Sequence, residues 1–257
     1  MTRPAPKISL ITVSYNSAAT IEQTLQSVAM QDYDNFEYIV VDGNSKDNTV
    51  EIVKRFGRLV TQCVSEPDKG NYDAYNKGLK LATGDVIGFI NSDDFYVLPD
   101  VLTKIAQAFK DPSIEACYGD LCYVKRDDTD AVVRYWRSNP FKAGLFLSGW
   151  CPPHPTLFVR RDVYERFGNF DLSYKIAADV ELMIRFIELH KIKTVHLPLL
   201  MVKMRMGGMT NSSWSNVRRQ NAEIWSALQG HGFKPNAARF FIGKILSRSR
   251  QYLSRPR

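Results

Sequence analysis

DVIGFINSDD, residues Asp85 to Asp94, joins a short apolar run, Val86 to Ile90, to an abrupt polar stop at Asn91, Ser92, Asp93 and Asp94. A run this short, bounded by turn-forming residues, is the pattern of a buried strand. Two carboxylates therefore stand at the carboxyl end of a core strand. Adjacent carboxylates repel, and holding both there calls for bound positive charge, for which a divalent metal carrying a phosphate ligand is the natural candidate. The competing reading is a polar turn after the strand, with Asp94 capping the next element.

Upstream, the pattern repeats. Ile8 to Val13 is a continuous apolar strand ending in Ser14, Tyr15, Asn16 and Ser17, and Thr20 to Ala29 carries Ile21, Leu25 and Val28 at helical spacing. A second strand, Phe36 to Val41, ends in Asp42 and Gly43, and a helix bearing Val50, Ile52, Val53 and Phe56 comes next. A third, about Leu59 to Val64, is closed by Glu66, Pro67, Asp68, Lys69 and Gly70, before a helix over Tyr72 to Leu81. Alternation of this kind predicts an α/β fold with a parallel sheet and right-handed crossovers, whose ligands gather outside the carboxyl ends of the strands. Asp42, Asp68 and the pair Asp93 and Asp94 are expected on one rim. Neither GxGxxG after the first strand nor GxxxxGK[ST] occurs, so phosphate is expected to be held through a metal rather than a glycine cradle.

Downstream, the spacing predicts a helix over Val101 to Phe109, strands over Ala116 to Lys125 and Ala131 to Trp136, and a short strand over Thr156 to Val159. Helices are expected over Arg161 to Phe167 and Val180 to Leu189. Lys193 to Leu197 reads as a strand and Val202 to Thr210 as irregular. There are no internal repeats.

The formal net charge is +7 over 257 residues. From Gly230 onward stand Lys234, Arg239, Lys244, Arg248, Arg250, Arg255 and Arg257 with no Asp or Glu, so these seven cations account for all of it. A body with no net positive charge argues against nucleic-acid partners. On a helical wheel, Ala238, Phe241, Ile242, Ile245, Leu246, Tyr252 and Leu253 share one face and the cations the other, with Phe240 out of place. Such a basic amphipathic helix, within 236–257, would lie on an anionic inner leaflet. Alternatively, it packs on the domain or pairs with a second copy in a homo-oligomer. Cys63, Cys117, Cys122 and Cys151 lack CxxC spacing, which speaks against zinc. The start, MTRPAPKISL, lacks the apolar run of a secretory leader, and no run approaches the roughly 20 residues of a spanning helix, so a cytoplasmic, peripheral location on the inner membrane surface is expected.

Five segments in order, ISLITVSYN, YIVVDGNSKDNT, SEPDKGNYDAYNKGLKLATGD, INSDD and IAADVELMIRF, make residues 7–210 resemble the family 2 glycosyltransferases. That resemblance implies a GT-A (Rossmann-like), mostly parallel sheet with helices on both faces, to which the C-terminal amphipathic helix is added. It divides the chain into a nucleotide-sugar half, 1–98, an acceptor and catalytic half of the same domain, 99–212, and a basic helical extension, 213–257. In such enzymes the acidic pair is the metal-binding element, here in the form Ser92, Asp93, Asp94. The resemblance implies Asp94 on Mn²⁺ or Mg²⁺, with Asp93 on the ribose or behind the metal. It places Asp42 on the ring N–H of the base and Tyr15 packed on that base. Asp68, Lys69, Asp73 and Asn76 would line the nucleotide site, and Arg205 would cover the diphosphate. Asp179 would be the general base of an inverting transfer, at the start of a helix whose field favours its ionised form, where an N-cap is the plainer role. Trp150, His154 and Glu181 are expected on the acceptor side.

The function so implied is transfer from a nucleotide-diphosphate sugar, most simply a UDP-sugar, to a lipid-linked or polysaccharide acceptor such as an O-antigen unit. A nucleotidyltransferase, or a noncatalytic scaffold for sugar nucleotides or membranes, is the alternative.

Overall fold

The computed structural model describes residues 5–207 and 213–253. Gly208, Met209, Thr210, Arg255 and Arg257 lie outside the described residues. In chain order, the first half comprises β1 (Ile8–Ser14), α1 (Ile21–Ala29), β2 (Phe36–Asp42), α2 (Thr49–Arg55), β3 (Gln62–Ser65), α3 (Asn71–Leu81) and β4 (Val86–Phe89). The second comprises β5 (Asp94–Tyr96), α4 (Val101–Ala108), β6 (Ala116–Val124), β7 (Val132–Trp136), β8 (Phe158–Arg160), α5 (Arg161–Phe167), α6 (Ala178–Met183) and β9 (Thr194–Arg205). Helices α7 (Trp214–Gly230) and α8 (Ala237–Leu253) close the described chain.

Among the described residues one sheet runs β3-β2-β1-β4-β8-β6-β9-β5, with β7 beside β6. The expected parallel pairing holds across β3, β2, β1 and β4. Beyond β4 the sheet is mixed: β8 runs antiparallel to both β4 and β6, while β6 and β9 are parallel. Strand order reverses at β1, which has β2 on one side and β4 on the other, and ligand crevices form at such a reversal.

Side-chain alternation splits the core between the two faces. Ile8 and Leu10 of β1, with Tyr38 and Val40 of β2, meet Leu25, Ile52 and Leu102 of α1, α2 and α4. Ile11, Val13, Ile39 and Val41 face the other way, against α3, α5, α6 and α7. Helices thus cover both faces.

Three sequence expectations shift. The third strand begins at Gln62 rather than Leu59, because Leu59 and Val60 bond back to the Phe56 carbonyl and finish the turn after α2. Strand β9 continues to Arg205 through the segment expected to be irregular. Pro198 reads as a strand breaker, but its register against β6 shifts around Gly119, so it falls in a bulge where a missing N–H is tolerated. The expected helix Val180 to Leu189 begins earlier, at Ala178, and turns π-helical over Ile184–Leu189.

Helix α8 packs on the domain through the residue that the wheel left out. Phe240 is fully buried, whereas Phe241, Ile242, Ile245 and Leu246 are about half exposed and Leu253 is more so. A close backbone approach fixes this orientation: a Cβ on Gly243 would sit 2.2 Å from the Ser148 carbonyl oxygen. The apolar stripe therefore points away from the protein.

Candidate active site

At the β1/β4 reversal lies a cavity of about 440 Å³, within the usual range for small-ligand sites. Its walls come from the ends of β1 (Ser14 to Ser17) and β4 (Asn91 to Asp93), the first turn of α3 (Asn71, Tyr72), and Arg126, Lys175 and Asp179 of the second half. Tyr15, 60% exposed, stands at its edge. Asn16, in the left-handed region at φ 49°, accepts from the Lys46 N–H and donates its own N–H to Ser45 Oγ, bracing this turn on the one after β2. Gly43 leaves room beneath, since a Cβ there would lie 2.5 Å from Asp68 Oδ2 and 3.4 Å from the Tyr15 ring.

The two acids of the DVIGFINSDD stretch differ in placement. Asp93 lines the cavity, whereas Asp94 begins β5, paired with Met204, and is fully buried. Asp94 Oδ2 accepts from Asn91 Nδ2 at 2.8 Å, and Oδ1 has no hydrogen-bond partner. Burial raises the Asp94 carboxyl well above the usual range, and the charge of Asp93 adds to the effect. Burial raises Asp93 too, against the pull of Arg205 and Arg126. Strand alternation turns Asp94 inward and leaves Asp93 on the cavity wall.

Asp179 lines this cavity and also a second one of about 170 Å³ behind it. The helix N-cap is Ala177, so Asp179 is not the cap, and Glu223 of α7 instead accepts the N–H groups of Lys175, Ile176 and Ala177. The Tyr72 hydroxyl lies 2.8 Å from the Ile176 carbonyl oxygen and 3.0 Å from Asp179 Oδ1. Burial and the neighbouring Asp179 push the Tyr72 phenol well up, so it remains a donor. His154 also borders both cavities, stacked on Phe89, with its imidazole lowered by burial against the opposing charge of Asp179. Trp150 lines the second cavity, packed edge-on against Phe146.

Other expected site residues make contacts within the chain. Asp42 is fully buried and accepts from Ser14 Oγ, Ser45 N–H, Ser45 Oγ and Ser65 Oγ, which fills a carboxylate's four acceptor sites and leaves none for a base N–H. Asp68 accepts from the Gly70 N–H beneath the rim. Asp73 accepts from the Lys69 N–H, and neither lines the cavity. Asn76 clamps both backbone groups of Phe170, joining α3 to the second half. Glu181 is ion-paired with Arg185 and hydrogen-bonded with His231 Nε2, and it lines neither cavity. Arg205 donates to the Asp93 carbonyl and to Gln23 Oε1, which braces the Asp93 turn. Arg126, Lys175 and Tyr72 were missed. Arg126 sits in the connection after β6, where Lys125 and Arg126 preceding Asp127, Asp128 and Asp130 are the signal that sequence offered.

Among the described residues no cluster of three or more His, Cys, Asp or Glu side chains could enclose a metal. One cavity-facing carboxylate, backed by a buried one with an unpartnered oxygen, still suits Mg²⁺ or Mn²⁺, which take one or two carboxylates and complete their shells with water and phosphate.

A family model described as glycosyl transferase family 2 matches residues 9–167. An uncharacterised glycosyltransferase of Mycobacterium tuberculosis is 34% identical over 183 residues, 70% of this chain and 69% of that protein. A PGL/p-HBAD biosynthesis glycosyltransferase of the same species is 30% identical over 224 residues, 81% of this chain and 80% of that protein. Among solved structures, a Pyrobaculum calidifontis mannosyltransferase in complex with GDP-Man and Mn²⁺ superposes with TM-score 0.69 at 21% identity, covering 94% of this chain and 69% of that one. S. aureus TarS in complex with UDP-GlcNAc gives TM-score 0.67 at 19% identity, covering 89% and 68%. At such identities these structures show a shared fold.

Proposed function

The chain belongs to glycosyl transferase family 2, and we propose that this glycosyltransferase moves a sugar, with inversion, from a nucleoside-diphosphate sugar to an acceptor hydroxyl deprotonated by Asp179. The observation that carries the reading is the position of Asp179 on the common wall of two cavities. The cavity at the β1/β4 reversal takes the donor, most simply a UDP-sugar, with the base near Tyr15 and the diphosphate toward Asp93 and Arg126. The cavity behind Asp179 takes the acceptor. Transfer is one in-line displacement: the acceptor oxygen bonds to the anomeric carbon, the bond to the diphosphate oxygen breaks, and the acceptor proton passes to Asp179. The Tyr72 hydroxyl, 3.0 Å from Asp179 Oδ1, orients that carboxylate.

Asp93, with Asp94 behind it, would hold Mn²⁺ or Mg²⁺. When bound, the ion supplies charge neutralisation on the leaving diphosphate. The acceptor is read as a lipid-linked or surface-polysaccharide saccharide. The outward apolar stripe of α8, with Arg239 and Arg250 beside it, supports attachment to an anionic leaflet. No helix among the described residues is long and apolar enough to cross a membrane.

A thermal-shift panel of nucleotide sugars with and without Mn²⁺ tests the donor assignment. One donor class should raise the midpoint in a Mn²⁺-dependent way, because ligand binding to the folded state stabilises it by mass action. Equal or absent shifts across the panel would refute it.

A further inference from the structure

The cavity behind Asp179 is roofed by α8, and its charge is unbalanced. Arg134, Arg205, Lys244 and Arg248 line it, while Asp179 is the one acid among its lining residues. Arg205 is committed to the Asp93 turn. Arg134 is 8% exposed, stacked 3.9 Å over the Tyr123 ring, and its Nε is buried without a hydrogen-bond partner. Among the described residues, no carboxylate lies within ion-pair distance of Arg134, Lys244 or Arg248. Lys244 donates to the neutral Asn221 Oδ1 at 2.5 Å. Burial, helped by the charge of Arg248, pulls its ammonium down to about 8, the behaviour of a cation short of a counterion. Gln251, 7% exposed on the same wall, has an unpartnered Oε1.

Cations drawn from water without a counterion are unfavourable, and a cavity that gathers the buried Arg134 with the part-buried Lys244 and Arg248, none of them within ion-pair distance of a carboxylate, is set up for an anion. Guanidinium pairs favour the fork geometry of phosphate. Trp136, Trp150 and Met183 supply apolar wall beside the cations, and the exposed stripe of α8 runs along the same helix beside Arg248. An amphiphile with a phosphorylated head matches that combination.

We propose that Arg134, Lys244 and Arg248 form an anion subsite for the acceptor, which is therefore a phosphate or diphosphate ester of a lipid, seated with its sugar hydroxyl at Asp179. The subsite rests on reading this cavity as the acceptor side. It makes α8 part of the substrate site and not simply a surface anchor.

The test uses the full chain and isothermal titration with farnesyl diphosphate, farnesol and inorganic pyrophosphate, alongside cosedimentation with phosphatidylglycerol vesicles. Farnesyl diphosphate should bind at least about tenfold more tightly than farnesol or pyrophosphate, and Lys244→Gln and Arg248→Gln should each weaken it by about tenfold, the scale of one charge-assisted bond. Arg248→Gln is the variant less bound into the core, and melting curves establish that both remain folded. Equal binding of farnesol, or unchanged binding in both variants, would overturn the subsite. Pyrophosphate binding as tightly as the prenyl diphosphate would assign the site to free anions and overturn the acceptor reading. Loss of vesicle binding in the variants with prenyl diphosphate affinity intact would assign the cations to lipid headgroups, with the same consequence. UDP with Mn²⁺ is titrated in the same samples: failure there would overturn the donor assignment, while the prenyl diphosphate data decide the subsite independently.

Discussion

Asp179 is one carboxylate between two cavities, held by a tyrosine hydroxyl at 3.0 Å and reached by no cation at ion-pair distance among the described residues. A proton acceptor needs those conditions: access to both reactants, a fixed orientation, and no counterion that occupies its lone pairs. Asp179→Asn should leave nucleotide affinity within about threefold and lower transfer by about 10³-fold, the scale of a general base. Titration for binding and product release for turnover check the two halves separately. Asp93→Ala should abolish the Mn²⁺ dependence of nucleotide binding, measured by titration with and without the ion, because Asp93 is the member of the pair that faces the cavity. Legibility at this scale was uneven for a physical reason. Residue type and motif pointed to Asp179, Asp93 and Tyr15, which line the cavity, whereas the serine cage of Asp42 was not legible because Ser14, Ser45 and Ser65, from three separate segments, meet it only once the chain has folded.

At the scale of elements, Glu37 of β2 is the clearest tie between strands. It accepts from Lys7 Nζ, Ser9 Oγ, the Thr83 N–H and the Thr83 hydroxyl, fastening β1 and the turn before β4 to β2. Burial alone would raise its carboxyl, but these bonds outweigh burial and hold it at about 2. A pKa depressed on folding gives stability that is fully present above the unfolded value, near 4.5, and lost as pH falls toward 2. Glu37→Gln should therefore cost about 3 kcal/mol in urea unfolding at pH 7, with the gap from wild type closing between pH 4.5 and 2. Phe240→Ala should cost about 3 to 5 kcal/mol, since Phe240 is fully buried beneath α8. Ile242→Ser with Ile245→Ser should leave the melting point within a few degrees and remove vesicle cosedimentation, because those side chains face outward. The strands of the first half could be read directly, as their apolar runs are buried on both faces. The wheel for α8 showed an apolar stripe but not which way it faces, since periodicity records amphipathicity and the Gly243 contact with Ser148 decides orientation.

At the scale of the molecule, the reversal of strand order at β1 opens the larger cavity, and the mixed second half supplies Arg126 and Asp179 to its wall. Sequence reached the alternation and the resemblance that imply this architecture; the antiparallel β8 and the meeting of two cavities at Asp179 depend on long-range pairings that no local pattern encodes. The central claim is that the two cavities are donor and acceptor sites of one displacement. A structure of the Asp179→Asn protein with an intact UDP-sugar and Mn²⁺ tests it most directly. The account predicts the base at Tyr15, the diphosphate between Asp93 and Arg126, and the anomeric carbon turned toward residue 179 and the second cavity. A nucleotide seated outside the β1/β4 crevice, or a sugar pointing away from residue 179, would contradict it.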